Sequence, residues 1–145
     1  SFYDFTGTVM EGVCKPWIVI KRNGLKIGVF AVCPKMTGLV SDKNCVGVKY
    51  LNPAKVALET ATMLKEQQKC DYVICISHLG WNSSQEEDDQ YVISRSRNID
   101  LVLGGHTHTY MTQLEYWKNM DGKPIPVDQN GKHALFVGKM IVDFK

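Results

Sequence analysis

Three histidines in this chain follow two apolar runs, in a pattern that suits metal binding. His78 comes directly after DYVICIS, and His106 and His108 come after IDLVL and a pair of glycines. Imidazole is the commonest protein metal ligand near neutral pH, and it suits zinc, iron, manganese or nickel better than calcium or magnesium. Gly104 and Gly105 have no side chains, so the backbone can turn sharply there and bring the next residues close to an ion. The pattern therefore predicts a metal site.

The two apolar runs are predicted to be neighbouring strands of a parallel sheet. A helix is expected between them, and alternation of strands with helices builds parallel sheets with right-handed crossovers. Ligands of such sheets bind at the carboxyl ends of the strands. If the two runs pair, His78, His106 and His108 all rise at the same edge, a few ångströms apart, on the order of the 4.8 Å spacing of paired strands. His133, in the segment NGKH, has no such company and is expected to be a surface residue.

The remaining elements complete an α/β fold, a mixed β-sheet with flanking helices. Residues 17–33 contain two apolar runs around Asn23-Gly24, which predicts an antiparallel hairpin whose second arm is covered on both faces of the sheet. Asn52 and Pro53 predict the start of a helix. The C-terminal part is predicted to form shorter, more antiparallel strands in LEYW, IPVDQ and LFVGKMIVDF, which Asp-Gly and Asn-Gly turns join.

A second helix is predicted in the segment SSQEEDDQYVISRSRN. Ser84 and Glu87 have the spacing of a capping box, and acidic residues in the first turn interact favourably with the helix dipole. The acidic cluster Glu86–Asp89 also has the chemistry of metal ligands. Helix-start electrostatics and a solvated face already account for this cluster, so they are the favoured interpretation.

Size and composition indicate one globular unit and exclude several classes of protein. The chain has 145 residues, 44% of them hydrophobic, without a repeat or a low-complexity tract. A net charge of +2 with scattered lysines and arginines gives no reason to expect a nucleic-acid partner. No apolar stretch approaches the roughly 18 residues of a transmembrane helix. Five cysteines without CxxC spacing predict neither a disulfide framework nor a cysteine zinc site.

The histidines lack acidic partners for a two-metal site within this sequence. Three imidazoles alone suit one zinc ion with an open position, where a bound water has a pKa of about 7. A two-metal site needs a bridging carboxylate and further ligands, yet the chain contains no DxH, no GD at a strand end and no NH[DE]. Asp71 and Asp100 come before their strands, so both are expected at the opposite edge of the sheet. Both metal arrangements therefore stay open at this point.

ISHLG and NIDLVLGGHTHT together resemble the 5'-nucleotidase branch of the calcineurin-like metallophosphoesterases. NGLKIGVFAV, DGKPIPV and FVGKMIVDF also look like that branch, so the resemblance covers nearly the whole chain. It implies a four-layer αββα sandwich of sheets and helices, of which this chain would form about half. It also implies a centre of two divalent metal ions, such as Zn, Mn or Fe, with His78 and His106 on one ion and His108 on the other.

The resemblance further implies that a metal-bound hydroxide hydrolyses small phosphorylated substrates, phosphate monoesters such as nucleotides. In that family the remaining ligands, including the bridging aspartate and an Asn-His pair, come from the N-terminal half of the phosphatase domain. Residues 1–145 are therefore expected to be one unit, the C-terminal portion of such a domain, without the N-terminal half or a nucleotide-binding domain. The chain alone is expected to bind metal partially or not at all and to be inactive or weakly active.

The sequence leaves three functional hypotheses. The leading one is a 5'-nucleotidase-like phosphoester hydrolase, of which this chain carries part of the metal site. The second is a self-sufficient mononuclear zinc hydrolase or lyase that uses His78, His106 and His108. The third is a non-catalytic interaction domain with a vestigial site, which self-associates through the sheet surface that the missing half leaves bare. Only the resemblance indicates a location, and it suggests the periplasm or the cell surface.

Overall fold

A mixed β-sheet with two α-helices packed on it forms the centre of the computed structural model, which describes residues 3–83 and 86–144. Two short strands, Tyr3–Asp4 and Lys49–Tyr50, pair in a separate ribbon, and the other strands form the large sheet. In chain order the elements are β1 (Tyr3–Asp4), β2 (Trp17–Arg22), β3 (Leu25–Val32), a 3₁₀ turn (Asp42–Asn44), β4 (Lys49–Tyr50), α1 (Pro53–Glu66), β5 (Tyr72–Ser77), α2 (Asp89–Ser94), β6 (Leu101–Leu103), β7 (Glu115–Lys118) and β8 (Pro124–Asp128).

The large sheet has the strand order β2-β3-β5-β6-β8-β7. Its central strands β3, β5, β6 and β8 run parallel, whereas β2 and β7 pair antiparallel with β3 and β8 at the two edges. The connection from β3 to β5 carries α1, and the connection from β5 to β6 carries α2. The predicted α/β fold with a mixed sheet is therefore confirmed, as is the alternation of strands and helices in the middle of the chain.

The hairpin of β2 and β3 turns at Asn23 and Gly24, as predicted. Their φ angles are 48° and 81°, and a tight two-residue turn requires such positive values, which asparagine and glycine tolerate best. Phe30 and Val32 of β3 are buried in the core below the helices. On the opposite face Val29 is only half-buried, so the expectation that β3 is covered on both faces is wrong. Both helices join the same core cluster, on the face that carries Phe30 and Val32.

α1 begins where Asn52 and Pro53 predict it. The Asn52 side chain accepts a hydrogen bond from the Lys55 N–H at 3.0 Å, which satisfies one of the N–H groups that the first helical turn leaves unpaired. Ala57 and Leu64 are fully buried on the sheet side of the helix. α1 contacts β3 and β5, so it supports the strand that leads to the first histidine.

α2 is shorter than the sequence predicts, and it begins at Asp89. Its N-cap is Asp88, whose carboxylate accepts a hydrogen bond from the Tyr91 N–H at 2.8 Å. The predicted capping box is therefore not the start of this helix, and its Ser84 lies outside the described residues. Asp88 and Asp89 are buried, so a solvated face does not explain them. Asp88 caps the backbone, and Asp89 turns inwards to the Ser77 hydroxyl.

The C-terminal part contains one hairpin and an irregular segment. β7 and β8 pair antiparallel on either side of Asp121-Gly122, whereas residues 131–144 contain no strand. The strand predicted in LFVGKMIVDF is therefore wrong. β8 is already paired on both sides, with β6 and β7, so no sheet edge beside it is open to a further strand. The segment is largely exposed, and near its end the ring centre of Phe144 lies 5.6 Å from that of Tyr72 in the sheet.

Most of the buried apolar residues in the described part of the chain form one core cluster. No helix in this part of the chain is long and apolar enough to cross a membrane. The five cysteines are free thiols. Cys75 is fully buried in the core, and burial raises the pKa of its thiol.

Replacement of Asn52 by alanine is expected to lower the free energy of unfolding by about 1 kcal/mol, because the Lys55 N–H loses its acceptor. Asn52→Ser is the matched control: a serine hydroxyl can cap the helix, and both variants lose the contacts of the Asn52 amide with Glu87 and Tyr91. Urea denaturation followed by circular dichroism measures the difference. Equal stability of the two variants would contradict the capping role.

Candidate functional site

His78 and His106 lie side by side at the carboxyl edge of the sheet. β5 pairs with β6 in parallel, with Ile76 opposite Leu103, so the residues that follow the two strands arrive at the same place. The two imidazole ring centres are 5.2 Å apart, and the ring planes meet at 62°. This separation is close to the one expected from strand pairing. His78 belongs to the His78 loop (residues 77–80), and His106 belongs to the GGHTH loop (residues 104–109).

Gly105 lets the two loops approach each other. A Cβ atom at this position would lie 3.0 Å from Nδ1 of His78 and 3.5 Å from the carbonyl oxygen of Ser77. The first of these distances is tighter than ordinary van der Waals contact, so a larger residue would have to displace the imidazole ring. The absence of a side chain at Gly105 therefore sets where the His78 ring can lie.

His106 and His108 have left-handed backbone conformations, with φ angles of 76° and 57°. Such conformations cost about 1–3 kcal/mol for residues other than glycine, and they cluster at functional sites. A hydrogen bond from the Thr107 N–H to the Gly105 carbonyl oxygen, 3.0 Å long, closes the turn between them. His108 is exposed, and its ring centre lies 6.4 Å from that of His133. His133 is a surface residue, as predicted, although it does have a histidine neighbour.

The surroundings of His78 disfavour its protonated form. Desolvation lowers the pKa of His78, and the charges of His106 and His108 lower it further. A neutral imidazole has a nitrogen lone pair free for a metal ion, whereas an imidazolium does not. The lowered pKa therefore keeps the nitrogen lone pair of His78 free of a proton down to a lower pH.

Asp89, which the sequence marks only as one member of the acidic cluster Glu86–Asp89, is buried next to the His78 loop. It is 1% exposed, and its Oδ1 accepts a hydrogen bond from the Ser77 hydroxyl. Burial raises the pKa of Asp89 to about 7; the Ser77 hydrogen bond opposes this shift, and nearby Asp88 adds to it. An acidic residue at a helix start is ordinarily explained by the helix dipole, and here that explanation concealed a buried carboxyl group.

Gln129, directly after β8, is a second buried polar residue that the sequence does not reveal. It is 1% exposed, and its Oε1 accepts hydrogen bonds from the Thr109 N–H at 2.6 Å and the Thr107 hydroxyl at 3.2 Å. The Thr107 oxygen also accepts a hydrogen bond from the Trp81 N–H at 3.1 Å. These bonds tie the GGHTH loop to β8 and to the residue that follows the His78 loop.

Asp71 and Asp100 lie at the amino ends of β5 and β6, at the edge opposite the histidines, as predicted. Asp100 pairs there with Lys65 at 2.7 Å and Lys123 at 3.1 Å. Neither carboxylate is in a position to join the histidines on a common ion.

The spacing of two of the histidines can be compared with that of ligands on one metal ion. A zinc ion lies about 2.0–2.1 Å from each ligating nitrogen, so two imidazoles in tetrahedral positions have ring centres about 5 Å apart. The 5.2 Å between the His78 and His106 rings fits this arrangement. Within residues 3–83 and 86–144, no group of three or more His, Cys, Asp or Glu side chains is arranged to hold a metal ion. The described residues thus supply two adjacent imidazoles, with His108 nearby, and not a complete coordination shell.

Comparison with known proteins connects this fold to phosphoesterases. No protein-family model matches the chain. The chain is 27% identical over 138 residues to the trifunctional nucleotide phosphoesterase protein YfkN of Bacillus subtilis, a match that covers 95% of this chain and 9% of YfkN. A 5'-nucleotidase precursor from Thermus thermophilus has a similar structure, with a TM-score of 0.75, 21% identity and coverage of 88% of this chain and 26% of that one.

A crystal structure of the calcineurin-like phosphoesterase YfkN from Bacillus subtilis is also similar, with a TM-score of 0.68 and 22% identity over 89% of this chain and 44% of that one. Other curated relatives, at 22–29% identity, are 5'-nucleotidases and apyrases. The chain spans less than a quarter of the length of these curated relatives. Its mixed sheet therefore matches part of the fold of those proteins.

The raised pKa of Asp89 predicts that the residue makes stability depend on pH. The folded state holds the proton up to about pH 7, whereas an unfolded aspartate releases it near pH 4. Ionisation of Asp89 therefore lowers the free energy of unfolding as the pH rises from about 4 to 7, by an amount on the order of 3–4 kcal/mol. Asp89→Asn removes this ionisation, so the variant should gain stability relative to the wild type across that range.

Urea denaturation at several pH values between about 4 and 8 measures this difference. Asp42→Asn is the matched control, because it makes the same replacement at an exposed aspartate. Parallel pH profiles for Asp89→Asn and the wild type would show that Asp89 ionises normally in the folded protein.

Proposed function

Because the chain is a homologue of 5'-nucleotidases and of the calcineurin-like phosphoesterase YfkN, as its ISHLG and GGHTH motifs indicate, we propose that it forms part of a metal-dependent phosphoester hydrolase. The proposed substrates are phosphate monoesters such as nucleotides. One observation carries the proposal: the imidazoles of His78 and His106 lie 5.2 Å apart at the carboxyl edge of two parallel strands, where this fold class binds ligands.

In this proposal His78 and His106 bind one divalent ion, and His108 binds a second. The remaining ligands, including a bridging carboxylate, come from protein outside these 145 residues. The incomplete donor set among the described residues supports this division, as does the small share of each relative that the chain covers. Imidazole ligands suit zinc, manganese or iron. Bound ions of this kind neutralise charge on phosphoryl oxygens and lower the pKa of a coordinated water.

The task of this chain is then to hold three imidazoles in fixed positions. Gly105 allows the His78 and GGHTH loops to approach, and the left-handed turn at His106 and His108 fixes the path of the second loop. The lowered pKa of His78 leaves its ring neutral at physiological pH, so a metal ion does not have to displace a proton there. Preorganised ligands of this kind reduce the cost of binding.

Substitution of His78 or His106 by glutamine, in a longer version of the protein that contains the remaining ligands, is expected to lower kcat/KM for p-nitrophenyl phosphate at least roughly 100-fold, because a metal ion supplies several kcal/mol of transition-state stabilisation. His133→Gln is the matched control, since that side chain is exposed. Activity of His78→Gln and His106→Gln equal to that of His133→Gln would contradict the metal-binding role.

The same assay on the 145-residue chain separates the two metal arrangements. The proposal expects little turnover and weak metal binding by this chain. Stoichiometric zinc that a chelator removes, together with activity equal to that of the longer protein, would instead support a mononuclear zinc hydrolase or lyase built from His78, His106 and His108 alone.

The sheet face opposite the helices supports an additional role in association. Here called the bare face, it carries Ile18, Ile20, Ile76 and Leu103, of which Ile18 and Ile76 are 45% and 49% exposed. A cavity of about 440 Å³ opens on this face between Ile18, Val29 and Ile76. Exposed apolar patches of this kind mark interaction surfaces. In the proposal, further protein covers the bare face in the parent protein, and a second copy covers it in the 145-residue chain.

Self-association through the bare face is expected to disappear when Ile18 and Ile76 are both replaced by glutamate, because charges then oppose burial of the surface. Val46→Glu is the matched control, since Val46 is 77% exposed and does not belong to the sheet. Sedimentation velocity measures the outcome. A monomeric wild-type chain at concentrations on the order of 100 μM, or association that persists in Ile18→Glu/Ile76→Glu, would contradict the role of this face.

The proposed location of the parent protein is the periplasm or the cell surface. This location is supported by the family resemblance and by the Thermus thermophilus relative, which is a 5'-nucleotidase precursor. Fractionation of cells that express the full-length protein tests this location.

A further inference from the structure

Two buried polar atoms at the histidine edge have no hydrogen-bond partner among the described residues. They are Oδ2 of Asp89 and Nε2 of Gln129. Both residues are 1% exposed, so solvent does not compensate either atom. A buried polar group without a partner costs about 1–3 kcal/mol, and folded proteins contain few of them. Two such groups beside the GGHTH loop therefore indicate that the fold keeps both side chains in place there despite the cost in free energy.

Gly104 lies next to both unpartnered atoms. A Cβ atom at this position would lie 2.9 Å from Oδ2 of Asp89 and 3.2 Å from Nε2 of Gln129. The Gly104 N–H donates a hydrogen bond to the Asp128 carbonyl oxygen at 2.8 Å, which holds the glycine against the end of β8. Oδ2 of Asp89 is an acceptor when the carboxyl group is ionised, above about pH 7, and Nε2 of Gln129 is a donor at any pH. The two side chains thus enclose the first residue of the GGHTH loop.

The rest of Asp89 holds the His78 loop. Its Oδ1 accepts a hydrogen bond from the Ser77 hydroxyl, and the Ser77 oxygen accepts one from the Leu79 N–H at 3.2 Å. The Asp89 N–H donates to the Gly80 carbonyl oxygen at 2.9 Å. Asp89 is thereby connected to the residues on both sides of His78.

The rest of Gln129 holds the GGHTH loop in the same way. Its Oε1 accepts hydrogen bonds from the Thr107 hydroxyl and the Thr109 N–H, the residues on both sides of His108. The Gln129 carbonyl oxygen accepts a hydrogen bond from the Met111 N–H at 3.0 Å, which anchors the chain after the loop. Asp89 and Gln129 therefore have equivalent roles: Asp89 holds the His78 loop, and Gln129 holds the GGHTH loop.

We propose that Asp89 and Gln129 are a pair of positioning residues, whose unpartnered atoms lie against Gly104 and which set the separation of the His78 and His106 imidazoles. They act through the backbone that flanks the histidines. The positioning is a property of this chain, and only its consequence for metal affinity rests on the proposed function. It also gives Gly104 a specific role, since a side chain there would separate the pair.

Imidazole NMR signals of the 145-residue chain with ¹⁵N-labelled histidine test the positioning directly. Asp89→Ala is expected to shift the signals of His78, and Gln129→Met those of His106 and His108, while the exposed His133 is unchanged. Asp89→Asn and Gln129→Glu keep the oxygen that accepts from the loop, so they should retain most of the wild-type signals. Zinc titration of the same samples is expected to show affinity lowered roughly 10–100-fold in the first two variants and largely restored in the conservative ones.

Gly104→Ala is the second test of the pair, because it leaves both side chains in place and adds only the methyl group that crowds them. It should shift the signals of His78 and His106 together. Gly28→Ala is the matched control for a general loss of stability, since its methyl group crowds Leu64 and Cys70 at the other end of β3. This control should leave the imidazole signals unchanged.

Imidazole signals in Asp89→Ala, Gln129→Met and Gly104→Ala that match those of Gly28→Ala would overturn the proposal. Additive effects in the Asp89→Ala/Gln129→Met double variant would overturn the statement that the two residues act as a pair. If the wild-type chain binds no zinc but its imidazole signals respond as expected, the metal-binding role of the isolated chain fails while the positioning stands.

Discussion

Parallel pairing of β5 with β6 is the constraint on which the histidine edge depends. The register, with Ile76 opposite Leu103, brings the residues after both strands to one place. Parallel strands cannot be joined by a tight turn and need a crossover, which here carries α2. The same connection that permits the pairing therefore delivers Asp89 to the underside of the His78 loop. The crossover between β5 and β6 therefore places both the imidazoles and the Asp89 side chain that supports the His78 loop.

Features that local chemistry determines could be predicted from the sequence. Asn23 and Gly24 suit a tight hairpin turn whatever surrounds them, and Asn52 caps α1 through its own side chain. The two strands before the histidines were recognisable as apolar runs between polar segments. Features that depend on distant partners were predicted less well. The C-terminal run has strand-like composition, but both sides of β8 are occupied by β6 and β7, and no composition reveals that.

The residues of the candidate site also fall into those that could be predicted from the sequence and those that could not. His78 and His106 could be placed together from the rule that ligands gather at the carboxyl ends of parallel strands, because that rule needs only the order of elements. Asp89 and Gln129 could not, since their burial depends on where the start of α2 and the end of β8 lie relative to Gly104. The proximity of His133 to His108 was also beyond reach, because an irregular segment brings it there.

The unequal covering of the two sheet faces affects what a stability measurement on this chain reports. One face is closed by α1 and α2, and the bare face is open at Ile18 and Ile76. If copies associate through the open face, they do so only when folded, so association draws the folding equilibrium towards the native state by mass action. The midpoint of thermal unfolding then rises with protein concentration, and folding and assembly become a single thermodynamic quantity.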